Sequence, residues 1–357
     1  MEETLLLVLF AAAPVLLLTL VVLFFRWWLP RIRHRRVLSL ITGNLLVTLL
    51  LLSVVVLVGE LYVRYGYDST DSFGLTRTNA DWFERHWKTN SDGFRDSEEY
   101  FPQIAPDHRR VSFVGDSFAA GHGVADVEDR FANRLRAALT SVEVHALARP
   151  GWDTGTHLEV VQFLGNNGYG EDLVVLVYCL NDIADIIPEW QQVLHRIYKA
   201  PRPGFLVRNS YLFNLLDARL RAAREPQIAD YYGIVRKGYN SGHWITQQQR
   251  LAMIEQSVTD AGGRLLVVTF PFLHAIDGNY RYADVHEQLD RFWADRNVPH
   301  LDLLETFASE SAEDLIVSSH DVHPNEHAHA MAAQAIEEFL QPYLNSPASN
   351  SDGLQDE

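Results

Sequence analysis

Val111-Ser112-Phe113-Val114-Gly115-Asp116-Ser117-Phe118 is the stretch whose reading decides the fold: a short apolar run that ends on Gly-Asp-Ser just before a glycine-rich turn. A serine at that place sits where a strand gives way to a helix, so its hydroxyl projects from the sheet edge instead of packing inward. That is where a nucleophile belongs. Gly-Asp-Ser by itself turns up by chance in roughly one chain in ten of this length, so its meaning depends on the residues downstream of it.

From residue 110 onward, strand-like and helix-like segments alternate. Apolar strand patterns occur at 111–115, 142–147, 172–178, 264–269 and 298–302, and helical periodicity covers about 126–140, 156–166, 245–261, 280–296 and 326–341. Leu173-Val174-Val175-Leu176-Val177-Tyr178 is apolar at every position, which implies burial on both faces and hence a parallel sheet between helices. The expected fold is α/β, a three-layer α/β/α sandwich. Ligands bind such sheets beyond the carboxyl ends of the strands, where the Ser117 turn follows the first of them.

The N-terminal part is of another kind. Thr4 to Phe25 and Val37 to Gly59 are uncharged runs of 22 and 23 residues, each long enough to cross roughly 30 Å of hydrocarbon as a helix. Glu2 and Glu3 give the first run an acidic start and no small-residue cleavage site follows it, which argues for a retained transmembrane hairpin over a signal peptide. Arg26, Arg31, Arg33, His34, Arg35 and Arg36 lie between the runs, with Trp27 and Trp28 at the edge. Such basic loops stay in the cytoplasm. The membrane is thus expected to be crossed through residues 4–25 and 37–59, with everything after about Tyr65 on the periplasmic or extracellular side.

The expected organisation is a hairpin at 1–66, a turn-rich lead-in at 67–106, a main domain at 107–343 and a disordered, Ser-, Asn- and Asp-rich tail at 344–357. The segment at about 183–245 is too long for a simple connection and reads as a partly helical insertion. It holds nine Lys/Arg against five Asp/Glu, interleaved with Trp190, Tyr198, Tyr211, Tyr231, Tyr232 and Trp244. A substrate-shaping cap and a packed insertion touching lipid headgroups are both open readings. The whole chain carries a net charge of -16, while residues 1–66 hold six Arg against three Glu, so the remainder is more acidic still. That balance disfavours nucleic acid as a partner. The single cysteine, Cys179, cannot form an internal disulfide and, flanked by an apolar strand, reads as an inert packed thiol.

Chemistry gathers near the C-terminus, in Ser318-Ser319-His320-Asp321-Val322-His323-Pro324-Asn325. A serine hydroxyl is a poor nucleophile until an imidazole takes its proton, and the imidazole works best when a carboxylate orients it. His323 and Asp321 can supply both. Attack on an ester creates an oxyanion that needs fixed donors, and Gly151 in Arg149-Pro150-Gly151-Trp152-Asp153 and Asn181 in Cys179-Leu180-Asn181-Asp182 stand at the ends of intervening strands. Each also has an ordinary reading: Ser117 as a helix N-cap, Gly151 and Asn181 as turn residues. His320, His323, His327 and His329 admit a metal reading, but Pro324 interrupts their helical spacing and no further ligands stand out. No metal and no cofactor are expected.

Ser117, Gly151, Asn181 and His323, in that order, resemble the four blocks of the SGNH (GDSL-type) hydrolase superfamily over roughly residues 107–343. The lead-in Asn90-Ser91-Asp92-Gly93-Phe94-Arg95-Asp96 and the run from His323-Pro324-Asn325 to His329 are similar to its membrane-anchored bacterial members. The resemblance implies a flavodoxin-like sandwich in which Ser117 attacks, His323 acts as base and then acid, and the Ser117 and Gly151 N–H groups with the Asn181 side chain form the oxyanion hole. There are departures. Cys179 stands where the third block usually has glycine; His320 stands three before His323, where an aspartate is common, so that Asp321 is the expected orienter; and Ala328 replaces a frequent glycine before His329.

The function this implies is a membrane-tethered serine esterase acting outside the cytoplasm, through a Ser117 acyl-enzyme, on O-acyl esters of carbohydrate, lipid or envelope polymers. An O-acyltransferase working with an acyl-donor partner protein shares the first half-reaction. A non-catalytic glycan-binding module is a third class, disfavoured because such a module need not keep nucleophile and base together.

Overall fold

In the computed structural model, which describes residues 1–345 apart from Arg33, Glu171, 199–202 and Asp277, the opening stretch lies in a strand, β1 (Arg109–Gly115). With β2 (Val142–Ala148), β3 (Leu173–Cys179), β4 (Arg264–Phe270) and β5 (His300–Asp302) it forms a five-stranded sheet of order β2-β1-β3-β4-β5. Every pairing is parallel. This is the flavodoxin-like order, and the chain reverses direction across the sheet at β1 and β3. Right-handed crossovers put the helix that leads from β1 to β2 (Phe131–Ala138) and the helix that leads from β2 back to β3 (Thr154–Asn166) on opposite faces. The helix His243–Asp260 packs beside Thr154–Asn166, and the last helix, Glu326–Leu344, beside Phe131–Ala138. The result is the three-layer sandwich expected. At its centre every residue of β3 is buried, Val175, Leu176, Val177, Tyr178 and Cys179 completely, and each large apolar side chain so removed from water contributes about 1.5–3 kcal/mol.

Two elements of the chain are not apparent in the sequence. β6 (Ile316–Ser318) and β7 (Asp321–Pro324) make a small antiparallel pair apart from the main sheet. Three or four residues are too few to show an alternation. The lead-in, read as turn-rich, contains a helix at Arg77–His86. Beside Trp82 the residues it buries include Thr78 and Asn79, so no apolar stripe marks it.

The chain divides into two units, and the sandwich belongs to the one built from Thr70–Phe73, Trp82–Lys199 and Pro226–Glu357. The other consists of the described parts of Met1–Ser69, Gly74–Asp81 and Ala200–Glu225. It contains two helical runs, Glu2–Ile32 and Arg36–Tyr65, with mean hydropathies of 3.0 and 2.6 over their most apolar stretches, only 6% of which is buried. Both are long and apolar enough to cross a membrane. The basic connection is tighter than the sequence implies: Phe24–Trp28 forms a π-helical turn, the helix continues to Ile32, and it resumes at Arg36. Arg33 lies outside the described residues, as does the tail from residue 346.

The segment 183–245 divides between the units. Its helices Pro188–Tyr198 and Tyr231–Tyr239 bury Trp190, Val193, Val235 and Tyr239 in the core of the sandwich unit, where the Tyr239 hydroxyl donates to the Leu180 carbonyl at 2.9 Å. Its middle helices, Phe205–Asn209 and Tyr211–Arg224, belong to the unit that holds the apolar helices.

Candidate active site

β1 ends on Gly115, and the chain turns at once into the short helix Ser117–Ala120. The turn is held by Asp116, whose Oδ1 accepts the Phe118 N–H at 2.8 Å as an N-cap. A Cβ on Gly115 would stand 2.7 Å from the Ala119 Cβ and 3.0 Å from the Val177 carbonyl oxygen. Glycine is therefore what lets the helix fold back onto the strand and present the Ser117 hydroxyl beyond the sheet.

β7 delivers the other groups. His323 Nε2 lies 2.9 Å from Ser117 Oγ, and His323 Nδ1 lies 2.5 Å from Asp321 Oδ1, which also accepts the His323 backbone N–H at 3.2 Å. Asp321 is fully buried and His323 nearly so. The second carboxylate oxygen, Oδ2, accepts the Thr70 hydroxyl and faces His122 Nε2 at 3.4 Å. The His122 ring stacks on that of His323, with Trp82 stacked on His122 in turn. Thr70 is placed by its neighbour Ser72, whose N–H donates to the His320 carbonyl at 3.1 Å and whose hydroxyl accepts the Val322 N–H at 3.1 Å. Burial disfavours the Asp321 charge, but the His323 imidazole, the nearby His122 and the hydrogen bond from His323 outweigh it and hold the carboxyl well below the usual range. Burial likewise opposes protonation of His323, and Asp321 overrides it, raising the imidazole. His122 is pushed down, first by burial and then by His323 beside it.

Gly151 follows β2 in the left-handed region, with φ +83°, and the direction its Cβ would take is open for 4 Å. Asn181 follows β3. Its amide hydrogen-bonds the Asp116 carboxyl, while its Oδ1 is buried and finds no donor among the described residues. The Cys179 N–H donates to Asp182 Oδ2 at 3.2 Å. Burial, followed by the neighbouring Asp116, raises the Asp182 carboxyl well above its ordinary range, and burial raises the Cys179 thiol in the same way. An inert thiol at this position fits both facts.

His320, the sequence alternative to Asp321, is exposed and its Nδ1 pairs with the neighbouring Ser319 hydroxyl at 3.0 Å. His327 is exposed beside Glu310, whereas His329 is buried with its Nδ1 accepting the Phe131 N–H at 3.3 Å. These histidines do not converge on a metal position. Among the described residues, the groups that do lie close are His122, Asp321 and His323, whose ligand atoms fall within 4.8 Å of one another. Between His323 and Asp321 the spacing of 2.5 Å is that of a hydrogen bond, whereas two donors sharing a zinc at 2.0–2.1 Å in a tetrahedron stand roughly 3.3 Å apart.

Thr70 and His122 carry no sequence signal for their roles, and Arg95 stands only as part of the lead-in motif, with no role assigned to it there. Arg95, of the lead-in, is completely buried and donates to the carbonyls of Gly121 and Val124, both at 2.6 Å, so it fixes the turn that carries His122. Its neighbour Asp96 accepts from Arg136 Nη1 at 2.8 Å and Nη2 at 2.6 Å, from Arg130 at 3.2 Å and from the Tyr100 hydroxyl at 2.5 Å.

The pattern for the GDSL-like lipase/acylhydrolase family matches residues 113–331. Solved structures similar to this chain include a member of the lipolytic G-D-S-L family from Veillonella parvula, with 15% identity over 65% of this chain and 97% of that one and a TM-score of 0.39. An extracellular lipase from Streptomyces rimosus shares 14% identity over 66% of this chain and 99% of its own, with a TM-score of 0.42. A two-domain esterase active on acetylated mannans shares 16% over 68% of this chain and 51% of its own, with a TM-score of 0.36. Comparison with curated proteins gives no match.

Proposed function

The chain belongs to the GDSL-like lipase/acylhydrolase family and is an ester-bond hydrolase, and from that premise we propose that Ser117 is its nucleophile, His323 its general base and acid, and Asp321 the group that orients His323. The observation that carries this reading is the unbroken hydrogen-bonded line from Ser117 Oγ through His323 to Asp321.

The Ser117 oxygen attacks the acyl carbonyl as its proton passes to His323 Nε2. The N–H groups of Ser117 and Gly151 and the Asn181 amide meet the oxyanion. Protonated His323 then gives its proton to the departing alkoxide, the ester C–O bond breaks, and the acyl group remains on Ser117. Water, deprotonated by His323, attacks that ester in turn and releases the acid. Asp321, held low by its surroundings, keeps its charge throughout and stabilises the imidazolium.

The substrate class follows from where the sandwich would work. The two apolar helices anchor the chain in a membrane, the basic connection Arg26–Arg36 stays in the cytoplasm, and the sandwich stands outside. Esters met there are O-acyl groups, such as acetate, on carbohydrate or envelope polymers. The test is hydrolysis of a chromogenic acetyl ester and of O-acetylated polysaccharide by the full chain in detergent. Ser117→Ala is expected to lower the rate by at least about 10³-fold. Equal rates for the two proteins would remove Ser117 from the mechanism.

A further inference from the structure

We propose that the helices Phe205–Asn209 and Tyr211–Arg224 are a membrane-interface element, seated in the lipid leaflet at the end of the hairpin where Glu2 and Tyr65 lie, with anionic phospholipid as the partner. The inference rests on the reading of the two apolar helices as membrane-spanning and concerns only the unit that contains them.

The segment is fixed to the second apolar helix by a built joint. Glu60, completely buried, accepts the Ser210 hydroxyl at 2.5 Å and the N–H groups of Tyr211 at 3.2 Å and Leu212 at 3.0 Å. Its carboxylate thus caps the N-terminus of the helix Tyr211–Arg224 from outside. Arg64 binds Glu60 at 2.8 Å and the Asn209 carbonyl at 3.2 Å. The guanidinium groups of Arg64 and Arg77 lie 4.6 and 4.4 Å from the Tyr211 ring centre.

Its depth follows from what it touches. The Phe213 ring lies 6.1 Å from that of Phe10, and a Cβ on Gly59 would stand 3.1 Å from Leu212 Cδ2. Phe10 is eight residues beyond Glu2 in the first apolar helix, about 12 Å along its axis. Side chains of this segment therefore reach alongside a part of the hairpin that is surrounded by hydrocarbon.

The remaining face is that of a helix lying in an interface. Tyr211, Asn214, Leu215 and Ala218 form its buried row. Phe213, Leu216, Leu220 and Ala223 form another, with Leu216 44% and Leu220 53% exposed, and Phe205 and Leu206 before it are 43% and 46% exposed. In helical projection Arg219 borders this row on one side and Arg224 on the other. An apolar strip that continues the lipid-facing surface of the hairpin and is edged by arginines fits acyl chains below and phosphate headgroups at the rim.

The experiment uses the full chain in nanodiscs of phosphatidylcholine with phosphatidylglycerol, spin-labelled at Leu216→Cys or Leu220→Cys. Cys179 is completely buried, so the unsubstituted chain serves as the unlabelled control. Leu51→Cys, in the hairpin, is the lipid reference, and Phe163→Cys, exposed on the sandwich helix Thr154–Asn166, the aqueous one. Labels at 216 and 220 are expected to collide freely with oxygen and to be shielded from a water-soluble nickel chelate, as at Leu51. Free access of nickel to both while Leu51 stays shielded would overturn the inference and leave the hairpin intact. Shielding from oxygen as well would overturn it in favour of a second copy of the chain covering the strip. Nickel access at Leu51 itself would instead sink the spanning hairpin. Arg219→Glu with Arg224→Glu is expected to raise nickel collisions at Leu220→Cys several-fold in anionic discs, and no rise would remove anionic lipid as the partner.

Discussion

The imidazole of His122 lies face to face with that of His323, 4.1 Å between ring centres and 18° between planes, and points its Nε2 at the Asp321 oxygen that His323 does not use. Asp321 is thereby held at both oxygens, by His323 on Oδ1 and by the Thr70 hydroxyl on Oδ2, with His122 Nε2 3.4 Å from Oδ2. A carboxylate that can rotate orients an imidazole poorly. His122→Phe keeps the stacking surface and removes the polar contact, and Thr70→Val removes the hydrogen bond. Each is expected to lower kcat about 10-fold with little change in KM, since a hydrogen bond to a charged group contributes about 1.5–3 kcal/mol and only part of it bears on orientation. Steady-state kinetics on an acetyl ester provide the check. A change confined to KM would place these residues at the substrate and not behind Asp321.

The five strands of the sheet and the approach of His323 to Ser117 across 206 positions follow from features present in the chain: fully apolar runs, alternating helices, and ordered polar residues at strand ends. His122 and Thr70 could not be read there. His122 sits between Gly121 and Gly123, where composition says only that a turn occurs, and Asp321, which it faces, lies in β7 199 positions later. Thr70 is one hydroxyl in a polar lead-in, and the hydrogen bonds of Ser72 that place it are made to the backbone of residues 320 and 322, so no side-chain pattern encodes them. The helix Arg77–His86 was hidden for the same reason, because it buries threonine and asparagine. Local patterns report apolar burial well and report hydrogen bonding to distant backbone hardly at all.

Arg95 gives that point a measurable form. Its guanidinium satisfies the Gly121 and Val124 carbonyls in the interior and lies 4.9 Å from the Trp87 ring centre. Burial, followed by the charge of Arg130, pulls it down to about 10, so it remains cationic at neutral pH. Arg95→Met would leave the Val124 carbonyl without a donor and the Gly121 carbonyl with only the Val124 N–H. A loss of about 3 kcal/mol in stability is expected, together with reduced kcat because the turn bearing His122 is released. Arg95→Lys should recover part of the stability and less of the rate. Urea unfolding and kinetics on the same preparations separate the two effects.

Gly151 has open space where a Cβ would go and a φ of +83°. Substitution there therefore probes the backbone without a clash. Gly151→Ala is expected to cost about 1 kcal/mol of stability from the left-handed conformation. Alanine keeps the N–H and disfavours only the φ that aims it, so if the Gly151 N–H meets the oxyanion kcat should fall by up to about 10²-fold, the limit set by full loss of one such donor, while KM changes little. A kcat unchanged alongside the loss of stability would argue against a Gly151 N–H aimed at the oxyanion.

Activity should depend on pH through His323, which must be neutral to accept the Ser117 proton. Burial lowers its affinity for a proton, but Asp321 more than restores it, so the imidazole titrates above its ordinary value of 6.5. The acid limb of kcat/KM is accordingly expected above pH 6.5, with activity rising as pH rises through it. Asp321→Asn removes the raising charge and leaves the burial, so the limb should move to lower pH while the plateau drops. A limb that stayed in place would show that another group governs it.

Stability should follow the opposite histidines. Burial lowers His145, His157 and His329 each to about 3, against 6.5 when exposed. Between those values the unfolded chain binds protons that the folded chain refuses, so folding is favoured at higher pH and weakens as pH falls from 6.5 toward 3, by roughly 1.4 kcal/mol per pH unit for each histidine. His323 acts in the reverse sense: its raised value contributes stability that is complete below 6.5 and fades as pH rises through its folded titration. His329→Gln retains an acceptor for the Phe131 N–H and removes one titration. Urea midpoints followed by tryptophan fluorescence at pH 7.5 and 5.0 should differ less for this variant than for the unsubstituted chain. An equal difference would show that His329 takes up its proton in the folded state.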